Sequence, residues 1–142
     1  MRALGVDVGE RRIGLAVSDP TGTIASPLET VTRRRGKRPP WRAMEEAARS
    51  HDVGHLVVGL PLDLEGEENP WCAEVRALGD ELGRRLELPV DYVDERMTSV
   101  RAERAVRSVG LPRSRREEKG RVDAAAAALI LQSWLDARDR SR

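Results

Sequence analysis

Two short apolar runs open the chain, and a polar turn separates them. The first run covers residues 4–8 and the second covers residues 13–17, with Gly9 and two arginines between them. Short β-rich segments joined by a glycine-containing turn are typical of a β-hairpin. A third strand is predicted over residues 23–32, where Pro27 interrupts the apolar pattern early.

The rest of the chain alternates between helical and strand patterns. Apolar residues recur at helical spacing over residues 41–50 and 70–86, and short apolar runs predict strands over residues 55–60 and 89–94. A helix is expected from Thr98 or Ser99 to about Val109, and an alanine-rich helix from Val122 to about Arg138. The order β-β-β-α-β-α-β-α-α predicts an α/β fold, with a five-stranded mixed sheet and helices on both faces.

Composition limits the class of protein. A chain of 142 residues suits one domain, here residues 1–142, and the single cysteine excludes an internal disulfide and a cysteine-based zinc site. No run of 18 apolar residues occurs, and the first residues lead directly into a strand. We therefore expect a cytoplasmic protein with no membrane segment and no leader.

Basic residues are concentrated in two segments although the net charge is only +1. The predicted basic loop, residues 33–40, is followed by Arg42, and no acidic residue lies between Arg33 and Arg42. The second segment falls in residues 111–120, which we predict to be a mobile charged loop. Such clusters commonly contact nucleic-acid phosphates. The alternative is an arginine-rich composition caused by a GC-rich genome or by adaptation to heat.

Acidic residues stand at the ends of predicted core elements. Asp7 lies within the first strand, where an unpaired charge costs several kcal/mol, so it is expected to meet either a metal ion or one of the arginines at positions 11 and 12. Asp94 and Glu95 end the fifth strand, with pairing to Arg96 or Arg101 as the alternative. Asp123 is expected in the first turn of the last helix, where it could simply favour the helix dipole.

Carboxylates gathered at one edge of a sheet suit phosphodiester hydrolysis. Strand ends and nearby helix termini form the usual ligand crevice of such sheets. Carboxylate oxygens bind Mg²⁺ or Mn²⁺, and these ions can activate water and stabilise a leaving oxygen. Asp19, followed by Pro-Thr-Gly, is interpreted instead as a turn former.

Four motifs resemble the YqgF/RuvX family in order and spacing. They are GVDVGERRIGLAVSD (residues 5–19), VVGLPL (57–62), DERMTS (94–99) and VDAAAA (122–127). The resemblance implies an RNase H-like nuclease related to Holliday junction resolvases, with Asp7, Glu95 and Asp123 as catalytic and metal-binding residues and Mg²⁺ or Mn²⁺ as cofactor. It implies either maturation of the 5′ end of pre-16S rRNA or cleavage of branched DNA.

This chain departs from the family pattern at two points. Met97-Thr98-Ser99 stands where Leu-Thr-Thr is common, and Ala126 and Ala127 follow Asp123 where resolvase relatives carry a further acid. The first change leaves the carboxylates untouched. The second bears on whether two metals bind.

Substrate binding is assigned to residues around the acidic cluster. Arg96 is the preferred phosphate ligand because arginine forms two parallel bonds to phosphate; its alternative is an internal bridge to Glu95. Gly9 allows a phosphate to approach closely, or serves only the hairpin turn. The remaining predicted contacts are basic: Lys119, Arg34, Arg35, Arg38, Arg115 and Arg116. With no Phe, one Tyr and three Trp, recognition by backbone shape is expected rather than base stacking.

Two rival functions remain open. The first hairpin also resembles the phosphate-binding hairpin of actin-like and sugar-kinase ATP-binding domains, which need two domains to enclose a nucleotide. The chain could also be a non-catalytic nucleic-acid-binding factor. A monomer and a homodimer are both compatible, with Trp134 and Leu135 as a possible dimer face or as core residues.

Overall fold

The structure, a computed structural model, describes residues 1–34, 36–97 and 116–140. The described part of the chain contains five strands and three helices, and a short 3₁₀ turn (Glu95–Met97) follows the last strand. In chain order the elements are β1 (Arg2–Val8), β2 (Arg12–Ser18), β3 (Ala25–Thr32), α1 (Trp41–Ser50), β4 (Val53–Leu60), α2 (Pro70–Leu86), β5 (Val90–Asp94) and α3 (Arg116–Arg140).

The five strands form one mixed sheet in the order β3-β2-β1-β4-β5. The first three strands pair antiparallel, whereas β4 pairs in parallel with both β1 and β5. In this register Asp7 lies opposite Gly14 and Leu60 lies beside Asp94. The opening hairpin and the mixed sheet predicted from the sequence are confirmed, and the carboxyl ends of β1, β4 and β5 meet at one edge.

Helices cover both faces of the sheet, as predicted. The face bearing α1 and α2 holds the larger apolar core, which includes Leu4, Leu15 and Leu56. On the other face α3 packs through alanines and through Ile130 and Leu131 against small residues of the sheet. None of the described helices combines the length and the apolar composition needed to cross a lipid bilayer.

Glycines let α3 lie almost directly on the strands. A Cβ atom added to Gly14 would sit 2.1 Å from the backbone oxygen of Asp123, and one added to Gly5 would sit 2.8 Å from the Cβ of Leu131. Real Cβ atoms do not approach other atoms so closely, so any side chain at these positions would push α3 outward. The lack of side chains at Gly5 and Gly14 therefore determines the distance between α3 and the sheet.

The last helix begins earlier than the sequence analysis predicts. Residues 116–120 belong to α3, so the prediction of a mobile loop over 111–120 is wrong for these five residues. Residues 111–115 and the predicted helix over 98–109 lie outside the described residues. Gly120 lies inside this helix. A glycine inside a helix costs only about 1 kcal/mol, and packing of the alanine-rich face on the sheet outweighs it.

The early start changes the interpretation of Asp123. It is the eighth residue of α3 rather than part of the first turn. Because the helix dipole acts mainly within the first turn, a simple dipole role does not account for this aspartate.

Asp19 closes the turn between β2 and β3, as the sequence analysis predicts. Its Oδ1 accepts backbone hydrogen bonds from Thr23 (2.7 Å) and Ile24 (2.9 Å), and its Oδ2 accepts one from the Thr21 hydroxyl. These hydrogen bonds, that from Thr21 foremost, lower the pKa of Asp19 to about 2. They also delay the start of β3 to Ala25.

We expect the variant Gly14→Ala to lose about 2–3 kcal/mol of unfolding free energy, because an added methyl group must displace the α3 backbone. Urea unfolding measures this loss. Gly54→Ala is the matched control, since its Cβ would meet only the Sδ and Cγ atoms of Met1, the end of a flexible side chain. Equal stability of the two variants would contradict the packing argument.

Candidate active site

Two carboxylates are buried where the parallel strands end. Asp7 is 2% exposed and Glu95 is 3% exposed. Side chains along a strand alternate between faces, and Gly5 faces α3, so Asp7 points to the α3 side as well. Glu95 reaches the same side, because its Oε1 lies 2.9 Å from the position that a Cβ of Gly59 would occupy.

Gly59 lies on β4, between β1 and β5, and leaves the space that the side chain of Glu95 occupies. It follows Val58, which pairs with Val6, the neighbour of Asp7. A Cβ on Gly59 would also lie 2.5 Å from the Cδ1 of Ile130. A side chain at this position would thus clash with both Glu95 and α3.

Asp123 is brought to the same edge by the packing of α3. Its backbone oxygen lies against Gly14, the residue paired with Asp7. Its carboxylate Oδ2 accepts a hydrogen bond of 2.9 Å from Nε of Arg12, and the two side chains are 22% and 31% exposed. Arg12 is therefore paired with Asp123, the third predicted site residue. The sequence analysis did not consider this pairing.

The donor set has the chemistry that Mg²⁺ prefers, although the described residues contain no group of three His, Cys, Asp or Glu side chains arranged to hold a metal. Mg²⁺ commonly takes only one or two protein carboxylates, and water and substrate phosphates complete its shell. Asp7 and Glu95 are oxygen donors of this kind, and Asp123 is held by Arg12. The residues present therefore fit a divalent cation whose shell the substrate completes.

Arg33 is an internal residue rather than part of an exposed basic loop. Only 7% of its side chain is exposed; Nη1 donates to the backbone oxygen of Gly9 (3.0 Å), and Nη2 donates to Glu74 of α2 (2.8 Å). Its guanidinium also lies over the ring of Trp71, 5.5 Å from the centroid. Arg33 thus connects α2 to the turn that follows Asp7.

Arg96 is bound to its neighbour Asp94 and to the loop after β4. Its Nε and Nη2 donate to Asp94, and Nη1 donates to the backbone oxygen of Leu64 (3.2 Å). The hydrogen bonds to Asp94 raise the pKa of Arg96. The internal bridge weighed from the sequence thus exists, with Asp94 rather than Glu95 as the carboxylate shown.

The other predicted substrate contacts are placed only in part. Arg34 and Arg38 are exposed, and the amide of Gly9 donates to the oxygen of Arg12 (2.9 Å) in the hairpin turn. Arg116 and Lys119 belong to α3, but their side chains lie outside the described part of the chain. Arg35 and Arg115 lie outside it altogether.

The histidines and the possible dimer face lie elsewhere. His55 pairs with Asp91 (3.0 Å), and its ring contacts that of Trp134 in a tilted arrangement with centroids 4.7 Å apart, near the amino ends of β4 and β5. Leu135 is a residue of α3 and is buried between this helix and the sheet. Leu135 therefore belongs to the core, and Trp134 joins α3 to β5 through its bond to Asp91.

The architecture is shared with two solved resolvases. The fold matches Thermus thermophilus RuvC with a TM-score of 0.59 at 17% identity, over 99% of this chain and 97% of that one. It also matches a Fowlpox virus resolvase in complex with Holliday junction DNA, with a TM-score of 0.56 at 9% identity, over 97% and 99% of the two chains. The fold is therefore the RNase H-like fold that the motifs implied.

Sequence comparison narrows this class to one family. The model of the family described as "RuvX: Holliday junction resolvase" matches residues 1–137. A protein of Anaeromyxobacter dehalogenans named "Putative pre-16S rRNA nuclease" is 46% identical over 97% of this chain and 98% of its own length. A Chloroflexus aggregans protein of the same name is 44% identical over 95% and 93%. The chain belongs to the RuvX family, and the resemblance seen in its motifs is confirmed.

We expect Arg33→Ala and Arg34→Ala to separate stability from binding. Loss of Arg33 removes two charge-assisted hydrogen bonds from a buried position and should lower the free energy of unfolding by about 2 kcal/mol. Loss of the exposed Arg34 should change it by less than about 0.5 kcal/mol, while weakening nucleic-acid binding and reducing its salt slope by about one. Urea unfolding and titrations of labelled RNA at several salt concentrations measure the two effects. A stable Arg33→Ala variant would contradict the internal role.

Proposed function

We propose that this protein is a divalent-metal-dependent endonuclease that hydrolyses phosphodiester bonds and processes the 5′ end of pre-16S rRNA. The observation that carries the proposal is the burial of Asp7 and Glu95 on one side of the sheet, where β1 and β5 end. Two carboxylates are kept in such a place at a cost in free energy, which a functional site explains. A cytoplasmic location and a monomeric or homodimeric state belong to the same proposal.

Asp7 and Glu95 would hold the metal, and Asp123 would join them as a third ligand once its carboxylate turns away from Arg12. When bound, Mg²⁺ or Mn²⁺ supplies an activated water and stabilises the departing oxygen. Burial keeps the carboxylates of Asp7 and Glu95 in fixed orientations, and Arg33 fixes the turn after Asp7 through the oxygen of Gly9. The site residues thus provide a preorganised anionic surface for the cation.

Basic residues outside the acidic cluster would hold the nucleic-acid backbone. Arg34 and Arg38 are exposed beyond the end of β3, and Arg12 lies at the mouth of the site. We assign the same role to the basic residues whose side chains are outside the described part. Phosphate contacts of this kind confer affinity without sequence choice.

Two substrates compete within this proposal. The names of the relatives at 44–46% identity favour pre-16S rRNA. The description of the family and a fold shared with a resolvase bound to Holliday junction DNA favour branched DNA as the second candidate. Symmetric cutting of a junction requires two active sites, so the DNA candidate also requires a dimer.

Cleavage of both substrates by native protein and by Asp7→Asn tests the proposal. With Mg²⁺ or Mn²⁺, native protein should cut precursor 16S rRNA near its 5′ end and should cut a four-way DNA junction more slowly. Asp7→Asn should lose at least about 100-fold in rate, because it removes a ligand charge at nearly constant volume. Gel analysis of end-labelled substrates provides the measurement, and the circular dichroism of the variant checks its fold. Equal cleavage by the variant would overturn the catalytic assignment, and a preference for the junction would reverse the ranking of substrates.

We further expect Mn²⁺ to raise the melting temperature of native protein and ATP to leave it unchanged. A ligand at 100 times its dissociation constant stabilises the folded state by about 2.7 kcal/mol. Asp7→Asn and Glu95→Gln should show a smaller Mn²⁺ shift, and Glu29→Gln on the exposed edge strand should retain the full shift. Stabilisation by ATP instead of Mn²⁺ would favour the nucleotide-binding alternative.

A further inference from the structure

We propose that Arg12 is an exchangeable counter-ion for Asp123: it holds this carboxylate before the metal binds, and it turns to a substrate phosphate once the metal has taken its place. The inference rests on the proposed function, since it assigns a second role to a residue at the same site. It begins from the hydrogen bond between Nε of Arg12 and Oδ2 of Asp123.

The position of Asp123 leaves it little freedom. Its backbone lies against Gly14, and Gly14 is paired with Asp7. The helix that carries this carboxylate cannot move towards the sheet without a clash, and it cannot move away without losing the contact with Gly14. Only side-chain rotation remains, and in the structure that rotation directs Oδ2 to Arg12.

The pairing of Arg12 with Asp123 is suited to exchange. Both side chains are partly exposed, at 31% and 22%, and partly exposed ion pairs contribute little to stability. A divalent cation carries twice the charge of a guanidinium and is also attracted by the buried carboxylates of Asp7 and Glu95. The cation therefore competes favourably for the same oxygen.

The released guanidinium would enter a basic cleft. Arg12 lines an open cleft where β2 begins and β3 ends, and the other lining residues are Glu10, Arg11, Thr32, Arg33 and Arg34. Arg34 is the exposed residue next to the buried Arg33. A nucleic-acid phosphate in this cleft would meet Arg12 once the bond to Asp123 is broken, and arginine binds phosphate through two parallel hydrogen bonds.

This exchange couples metal binding to substrate binding. Without a divalent cation, Arg12 is neutralised by Asp123 and contributes little to RNA affinity. With the cation bound, Arg12 becomes available to the phosphate. The two ligands therefore favour each other, and the coupling is reciprocal.

Arg12→Gln tests the first half of the exchange through Mn²⁺ binding measured by isothermal titration calorimetry. Removal of the competing cation should tighten Mn²⁺ binding about fivefold, the equivalent of a partly exposed ion pair. Arg11→Gln is the matched control: Arg11 is adjacent and exposed, and its loss should tighten Mn²⁺ binding by less than about twofold. A purely structural role of Arg12 would weaken Mn²⁺ binding instead, so this result or equality with Arg11→Gln overturns the proposal.

RNA affinity tests the second half. A labelled RNA from the 5′ region of precursor 16S rRNA is titrated in Ca²⁺ and, separately, in EDTA, and gels check that it stays intact. Arg12→Gln should weaken binding about tenfold in Ca²⁺ and by less than about twofold in EDTA. Arg11→Gln should weaken it by the same factor in both. A loss for Arg12→Gln that does not depend on the cation overturns the exchange.

Asp123→Asn provides the test if Arg12→Gln fails to fold. This variant should bind RNA more tightly than native protein in EDTA, because it frees Arg12 without a metal, and adding Arg12→Gln should abolish the gain. No gain contradicts the proposal. Native protein that neither binds Mn²⁺ nor cleaves either nucleic acid would overturn both this inference and the proposed function, whereas cleavage by native protein with identical behaviour of the two arginine variants overturns the exchange alone.

Discussion

The contact between α3 and the central strands is the constraint on which the site depends. At Gly14 the helix backbone comes so near the sheet that no side chain fits between them. Because Gly14 pairs with Asp7, the same contact brings Asp123 to the acidic edge. A larger residue at position 14 would push α3 away from the sheet and so move the carboxylate of Asp123 away from that of Asp7, although neither aspartate is changed.

Burial of the acidic residues is costly in stability, and the proposed function gives it a reason. Asp7 and Glu95 are almost fully removed from water, although apolar residues would pack there at lower cost. Active sites commonly retain groups that destabilise the empty protein. The surrounding structure compensates with the apolar packing of both sheet faces and with buried links such as that from Arg33 to Gly9 and Glu74.

Local sequence pattern predicted the five strands, the first two helices and the places of Asp7 and Glu95 at strand ends, since each strand can be recognised by itself. It did not predict the environment of the arginines. Arg33 belongs to a run of basic residues and is nevertheless buried, because its partner Glu74 is on a helix 41 residues away. The pairing of Arg12 with Asp123 spans 111 residues, beyond any local spacing rule. The close contact of Gly14 with the backbone of Asp123 likewise joins residues that are far apart in the sequence.

The helix-to-sheet contact also has a consequence for protein synthesis. Gly5 and Gly14 precede their packing partners on α3 by most of the described chain, so they are translated well before them. Until α3 has left the ribosome, the opening hairpin has no cover on this face, and the carboxylate of Asp123 is absent from the acidic edge. The acidic edge is therefore completed only after α3 has been synthesised and has packed on the sheet.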